Sequence, residues 1–292
     1  MARKKTPKAL AKAAGKADLK ASGKLVFSVT ALYLASVMLA LYTGYSLDAR
    51  DERVFESIGQ TPESLLSPLL MMAWILVLTG VIMLFIKWKK FGFIKALEVV
   101  ALFSAAFIVV ESFIPELWSA AFVFIGALMA WKYWHPEDVL VKNAFSALAA
   151  AGVGAVLGVS LGLLPILFFL GVLSVYDYVA VFKTKHMVSM ATSLKQKGFS
   201  MTADIPTPFH TFQLGTGDLA MPSAVVVSIA VFLGSVPAGF AAIGGLAGLL
   251  WTVDYVGKNV GKALPAIPPI TIGILLALAL YKSVTALSTG SL

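Results

Sequence analysis

The chain has 292 residues, of which 59% are hydrophobic and 13% are charged. Soluble proteins contain roughly 45–50% apolar and about 25% charged residues, so this composition excludes a soluble globular domain and a disordered chain. The net charge of +8 does not indicate nucleic-acid binding, because eight of the 23 basic residues precede residue 25 and most others lie between apolar segments. The absence of cysteine excludes disulfides, thiolate metal sites and cysteine nucleophiles.

The N-terminal region, residues 1–24, carries regularly spaced lysines among alanine and glycine and lacks the apolar periodicity of a packed helix. It is predicted to be a basic, disordered arm at the inner membrane surface. The apolar stretch that follows, residues 25–45, is long enough to cross a bilayer. A signal peptide is the alternative interpretation, but no clean small-residue cleavage site follows, which favours a retained membrane helix.

Apolar segments recur along the rest of the chain and can each cross a ~30 Å hydrocarbon layer at ~1.5 Å per residue, the fourth with help from its flanks. Strand-like alternation is absent, and lipid offers the backbone no hydrogen-bond partner, so the segments should be helices. The sequence therefore predicts an all-α membrane protein. Its nine transmembrane helices are placed at residues 25–45, 68–86, 96–113, 117–131, 143–161, 164–182, 211–233, 238–256 and 264–287.

The orientation of these helices follows from the distribution of basic residues. If the N-terminus is inside, 20 of the 23 lysines and arginines lie in inner segments, and the first outer loop is acidic. The excess of basic residues in inner loops predicts a cytoplasmic N-terminus and an outside C-terminus. Helices one to six then occupy residues 25–182, a cytoplasmic loop follows at 183–210, and helices seven to nine lie within 211–292.

Glycines recur at four-residue spacing in two of the predicted helices. Gly154, Gly158 and Gly162 lie along the fifth, and Gly244 and Gly248 along the eighth. Small residues at this spacing let helix backbones approach closely in membranes, so these positions are interpreted as packing surfaces.

Ionisable residues inside apolar spans are costly and commonly mark function. Three of them have a local explanation. Glu98 lies three residues from Lys95, Glu111 lies near the end of its helix, and Asp254 precedes Lys258 by four residues. Reaching the interface or pairing locally, in a salt bridge at a helix end, is the favoured interpretation for all three.

Asp177 and Asp218 have no such explanation. Asp177 precedes Lys183 by six residues, which places it roughly 9 Å from the inner end of the sixth helix. Asp218 lies seven residues after the predicted start of the seventh helix, roughly 10 Å from the same side. Two carboxyl groups at matched depth on consecutive antiparallel helices can face each other. Such a pair shares a proton, and one member can activate water while the other donates to a scissile carbonyl.

The surroundings of the two aspartates predict a hydrated pocket open to the inner side. Gly215 and Gly217 precede Asp218 and loosen the helix start, while the ninth predicted helix contains three prolines within residues 265–269. Backbone without helical partners survives in lipid only where it is buried or lines a wet cavity. The segment 211–214 and the chain around Pro265 are therefore expected to offer unpaired backbone groups to an extended substrate.

No metal or other cofactor is predicted. The histidines His135, His186 and His210 are too scattered for a ligand set, and interfacial placement is favoured.

Three short motifs resemble those of the presenilin and signal peptide peptidase family of intramembrane aspartyl proteases. Tyr176-Asp177 is similar to its YD signature, residues 215–218 (Gly-Thr-Gly-Asp) to GxGD, and residues 265–267 (Pro-Ala-Ile) to PAL. The likeness covers nearly the whole nine-helix chain, and the order and spacing of the motifs agree. Short loops make an archaeal presenilin homologue in the cell membrane the best fit, and the N-in orientation resembles presenilin.

The resemblance implies hydrolysis of peptide bonds within transmembrane segments of substrate proteins in the bilayer, with Asp177 and Asp218 catalytic. It further implies a substrate-binding role for Tyr176, Leu214, Gly215, Gly217, Pro265, Ala266 and Ile267. Ile267 departs from the motif's leucine, and retained activity with altered substrate preference is expected. The loop 183–210 occupies the place where presenilins are self-cleaved.

The alternative is a secondary transporter or proton-coupled channel, which also uses intramembrane carboxylates and helices interrupted by glycine or proline. Against it, both aspartates are predicted nearer the inner face than the midplane, and their surroundings are not repeated in the sequence. A non-catalytic membrane scaffold would leave the aspartate pair without a reason.

Overall fold

The computed structural model describes residues 7–52, 61–183, 202–206, 211–258 and 264–289. In these ranges the chain forms nine α-helices and one two-stranded antiparallel sheet. The helices are α1 (Pro7–Ala49), α2 (Leu66–Lys87), α3 (Phe91–Phe113), α4 (Trp118–Trp134), α5 (Val139–Ser160), α6 (Leu163–Tyr178), α7 (Thr216–Phe232), α8 (Ser235–Lys258) and α9 (Ile267–Thr289). A 3-10 turn, Pro115–Leu117, precedes α4, and a π-helical turn, Val179–Lys183, follows α6.

Eight of the described helical segments are long and apolar enough to cross a membrane, which confirms a multi-pass, nearly all-helical membrane protein. Helix α1 begins at Pro7, so the backbone is helical over residues 7–24, where the sequence predicted a disordered arm. A run of alanine and lysine has high intrinsic helix propensity and can continue a helix that the membrane segment has nucleated.

The predicted start of the seventh helix, at residue 211, is wrong. Residues Thr211–Gly215 form strand β2, which pairs with strand β1, Thr202–Pro206, and α7 begins only at Thr216. Thr211 and Phe212 favour extended structure, and Gly215 has extended backbone angles as the N-cap of α7. Helix α7 is therefore 17 residues long, shorter than the spans that α4 and α6 form together with their flanking turns.

Helix α7 is the central helix, and it packs against α1, α5, α6 and α8. Twelve consecutive residues, Leu219 to Ala230, are buried. A Cβ added to Gly154 would approach Ser223 of α7, and one added to Gly158 would approach the carbonyl oxygen of Ala224. Gly244 likewise lies against Gly273 of α9. The predicted packing role is thus confirmed for these glycines, whereas Gly162 lies beyond the end of α5 and faces Pro62 and Glu63.

Two of the three acidic residues pair with a residue that is distant in sequence, and for Glu111 this pair is a salt bridge at a helix end. The Glu98 carboxyl on α3 lies 3.5 Å from the Lys132 ammonium on α4, and both side chains are buried. The Glu111 carboxyl accepts a 2.8 Å hydrogen bond from Arg50 at the end of α1. Sequence spacing favoured near neighbours, but a partner on an adjacent helix spares the pair exposure to lipid.

Candidate active site

Asp177 lies in the last turn of α6, just before the π-helical turn, and is 8% exposed. Its Oδ2 accepts a hydrogen bond from the backbone N–H of Ile267, with a donor–acceptor distance of 3.3 Å. Ile267 is the first residue of α9. The N–H groups in the first turn of a helix have no partner within that helix. The carboxyl group of Asp177 therefore joins the end of α6 to the start of α9.

Asp218 is the third residue of α7, in its first turn, and not seven residues inside a helix as the sequence predicted. Its carboxyl group accepts a hydrogen bond from the backbone N–H of Gly215, the N-cap residue. An acidic side chain at the third helical position that bonds back to the N-cap N–H forms half of a capping box. Asp218 thus satisfies an otherwise unpaired N–H at the start of its own helix.

The two carboxyl groups are close enough to interact electrostatically, so the structure brings Asp177 and Asp218 together from separate helices. Each accepts an N–H from a helix start, Asp177 at α9 and Asp218 at α7. An arrangement of paired carboxyl groups can hold one proton between them and act as a general acid and a general base.

The two glycines before Asp218 have different roles. A Cβ on Gly215 would lie 3.0 Å from Asp218 Oδ2, so a side chain there would press on the carboxyl group. A Cβ on Gly217 would meet nothing within 4 Å among the described residues. Gly215 therefore leaves room for the Asp218 carboxyl group, whereas the space beside Gly217 is open.

The proline-rich start of α9 is a regular helix start rather than a broken helix. Pro268 and Pro269 lie in the first turn, where the missing N–H groups would have no helical partner. Pro265 and Ala266 precede the helix and are buried. The helix begins three residues later than predicted, which leaves the N–H of Ile267 available to Asp177.

The remaining predicted substrate-binding residues lie in two environments. Leu214 is 3% exposed and belongs to the same buried cluster as Ala266 and Ile267, so these side chains pack in the core. Tyr176 is half-buried beside Asp177. Of the histidines, His135 stacks on Trp131, and His186 and His210 lie outside the described residues, as does most of the loop 183–210.

A polar cluster on the hairpin was missed by the sequence analysis. Asp204, in the middle of β1, lies 3.0 Å from Lys142 Nζ and accepts hydrogen bonds from Gln213 and Thr202. Burial alone would raise the pKa of Asp204, but these hydrogen bonds and the lysine charge hold its pKa below the usual range. Asn143 binds the backbone of the same residue. Short polar stretches carry no periodic signal, so their pairing appears only in the fold.

Comparison with known proteins agrees with this geometry. Residues 30–282 match the family model of signal-peptide peptidase, presenilin aspartyl protease. A solved structure of a presenilin family intramembrane aspartate protease in space group C222 is 25% identical, with a TM-score of 0.68, and the match covers 89% of this chain and 99% of that one. Another, in space group P2, is 26% identical with a TM-score of 0.60, covering 86% and 97%. No curated protein matches the chain significantly.

The fold and these likenesses define an aspartic endopeptidase of the intramembrane class. The chain belongs to the signal-peptide peptidase and presenilin family.

Proposed function

We propose that this enzyme hydrolyses peptide bonds within transmembrane segments of other proteins, with Asp177 and Asp218 as its catalytic pair and no cofactor. The observation that carries the proposal is that the carboxyl groups at the end of α6 and the start of α7 are close enough to interact electrostatically, beside the start of α9. One carboxylate removes a proton from water, whose oxygen attacks the scissile carbonyl carbon, while the other carboxyl group donates its proton to the carbonyl oxygen. Collapse of the intermediate breaks the C–N bond. The departing nitrogen takes up the proton that the first carboxylate removed from water, and the hydroxyl group of the intermediate returns its proton to the second carboxylate.

The orientation with a cytoplasmic N-terminus is part of this proposal. The end of α6, the starts of α5, α7 and α9, and the hairpin meet at one end of the bundle. The chain flanking these ends carries most of the lysines outside the N-terminal region. The positive-inside rule therefore favours an active site near the cytoplasmic surface. The archaeal cell membrane is the proposed location.

The hairpin supports binding of an extended substrate. Strand β2 runs directly into Gly215 and Asp218, so a substrate strand paired with β2 would pass the catalytic pair. The sequence suggested that the backbone of segment 211–214 is unpaired. In the structure one edge of β2 is bonded to β1, so only the other edge can be open. The other edge provides the backbone groups that an unwound substrate needs.

Incubation of the purified enzyme with a single-span transmembrane peptide tests the proposal. Asp177→Asn and Asp218→Asn should each lower turnover by about 10³-fold or more, because each removes an ionisable carboxyl group and keeps its shape. Thr285→Val at the far end of α9 serves as a folded control with wild-type turnover. Normal cleavage by either aspartate variant would contradict the mechanism. Proton-coupled solute flux without any peptide product from the wild type would favour the transporter.

A further inference from the structure

The side chain of Asn143, near the start of α5, is bonded to β1 in the manner of a neighbouring strand. Its Nδ2 donates to the carbonyl oxygen of Asp204 at 2.9 Å, and its Oδ1 accepts from the N–H of Asp204 at 2.7 Å. One amide group thus occupies both backbone groups of the central residue of β1. An added strand would need those same two groups to pair with this edge.

The register of the hairpin shows which edge Asn143 occupies. In an antiparallel pair, residues alternate between those whose N–H and C=O face the partner strand and those whose groups face away. Asp204 is opposite Gln213 in the register, and the N–H and C=O of Asp204 are both bonded to Asn143. The two residues therefore form a pair whose backbone groups point away from each other. Gln213 therefore directs its backbone groups to the opposite edge, on the side of β2, and its side chain is exposed.

Further contacts hold α5 against both the hairpin and the start of α7. Lys142 binds the carboxyl group of Asp204, and Ser146 lies one turn further along α5, with its hydroxyl 2.9 Å from that of Thr216. Asp138 caps α5 by accepting the N–H groups of Leu140 and Val141. The first turns of α5 therefore position Asn143 relative to the residues just before Asp218.

We propose that Asn143 is a positioning residue that closes the outer edge of β1, so that an extended substrate pairs only with β2, beside Asp218. This inference rests on the proposed function and on strand addition at the hairpin. A two-stranded sheet has two edges, and each can accept a strand. Pairing with β1 would place the substrate one strand further from the catalytic pair, so closing that edge restricts where the scissile bond can lie.

The first experiment compares the intact enzyme with its Asn143→Ala variant on a single-span peptide. The variant should lower kcat/KM by about ten- to a hundred-fold, because substrate is lost to unproductive pairing and the hairpin loses two hydrogen bonds. Mass spectrometry should show additional product termini, and the shape of the pH profile should not change, since neither aspartate is altered.

Ser228→Ala is the matched control. It removes one buried hydrogen bond, from Ser228 to the carbonyl of Leu161, at a distance from the hairpin. It should lower stability without adding product termini. A purely structural role for Asn143 would make the two variants alike. The inference would be overturned if Asn143→Ala had the kcat/KM and the product termini of wild type. The proposed function would still stand in that case if wild type cleaved the peptide and Asp218→Asn did not.

A second experiment keeps Asn143 in place and so does not depend on the folding of its variant. The chain has no cysteine, so Thr211→Cys on β2 and Pro206→Cys on β1 each provide a single thiol. These two positions are exposed and lie opposite each other in the register. Adjacent strands lie about 4.8 Å apart, and two strands separated by a third lie about 9.6 Å apart. A disulfide requires Cα atoms within about 7 Å, so it can join adjacent strands only.

A substrate strand on β2 can therefore form a disulfide with position 211 and not with position 206. Peptides with a cysteine placed in turn at each residue around the scissile bond should be trapped at Thr211→Cys only. Adding Asn143→Ala should create trapping at Pro206→Cys. Trapping at Pro206→Cys with Asn143 present, or at neither position, would overturn the inference even if proteolysis is normal.

Discussion

Helices α7 and α2 are both strongly apolar, yet they occupy opposite environments. In α7, twelve consecutive residues are buried, whereas in α2 only Ser67 and Pro68 are. Helix α7 has alanine and serine at 220, 223 and 224, where α5 glycines approach it, while α2 presents leucine, methionine and tryptophan. Apolar content thus determines insertion in the bilayer, and small residues at helical spacing determine which helix lies at the centre.

The largest effect on this comparison is expected from a methyl group added at Gly158. Its Cβ would lie 2.6 Å from the carbonyl oxygen of Ala224 and equally close to Val227, so α5 and α7 would be forced apart. Gly158→Ala should lower the free energy of unfolding by about 1–3 kcal/mol, measured by thermal unfolding in detergent. Activity should fall as well, because Asp218 is carried by α7.

Gly80→Ala in α2 is the matched control for that substitution. A Cβ at Gly80 would meet nothing within 4 Å, and alanine favours helix by about 1 kcal/mol over glycine. Equal or greater stability is expected. If the two variants were equally harmful, the packing account of the difference between α7 and α2 would fail.

A smaller effect is expected from pH, through the hairpin that leads into α7. The pKa of Asp204 is held below its ordinary value of about 3.9. A depressed folded-state pKa contributes stability that is present above the ordinary pKa and is lost as pH falls through the folded value. The unfolding midpoint of wild type should therefore fall below about pH 4.

Asp204→Asn keeps the shape of the side chain and removes the titrating group. Its unfolding midpoint should be lower at neutral pH and should fall less than that of wild type between about pH 5 and 3. Helix α2 contains no acidic residue. A fluorescent probe attached to a cysteine introduced in α2 should therefore show no local change in structure over this pH interval. A wild-type pH dependence in Asp204→Asn would show that another group is responsible.

The smallest effect separates a hydrogen bond between elements from one inside a helix. Ser228 of α7 donates to Leu161 at 2.8 Å, across to the turn between α5 and α6, whereas Thr79 of α2 donates to Ile75 of its own helix at 2.7 Å. Ser228→Ala should cost about 1 kcal/mol in the free energy of unfolding, and Thr79→Val close to none. Equal losses in thermal unfolding would contradict this distinction.

Several features of the fold and the site could be predicted from the sequence because each depends on neighbouring residues. Apolar length predicted the membrane helices, and glycine spacing predicted the faces of α5 and α8 that pack closely. The pairing of Asp177 with Asp218 followed from their cost in lipid, although the depth assigned to Asp218 used a helix start that proved wrong. Their catalytic role remains a prediction, supported by the family and by their proximity.

Other features arise only when distant parts of the chain meet. Asn143 and Asp204 are 61 residues apart, and Glu98 and Lys132 are 34 apart, so no local pattern pairs them. Strand β2 was predicted as the start of a helix and β1 as part of the cytoplasmic loop, because five residues of mixed polarity are compatible with any of these structures. By itself the sequence determined a helical, multi-pass membrane protein with two unexplained aspartates, since transfer into lipid is a property of each segment. Tertiary structure decided which strand edge stays open and which partners satisfy the polar groups, since a hydrogen bond requires both groups to be in place.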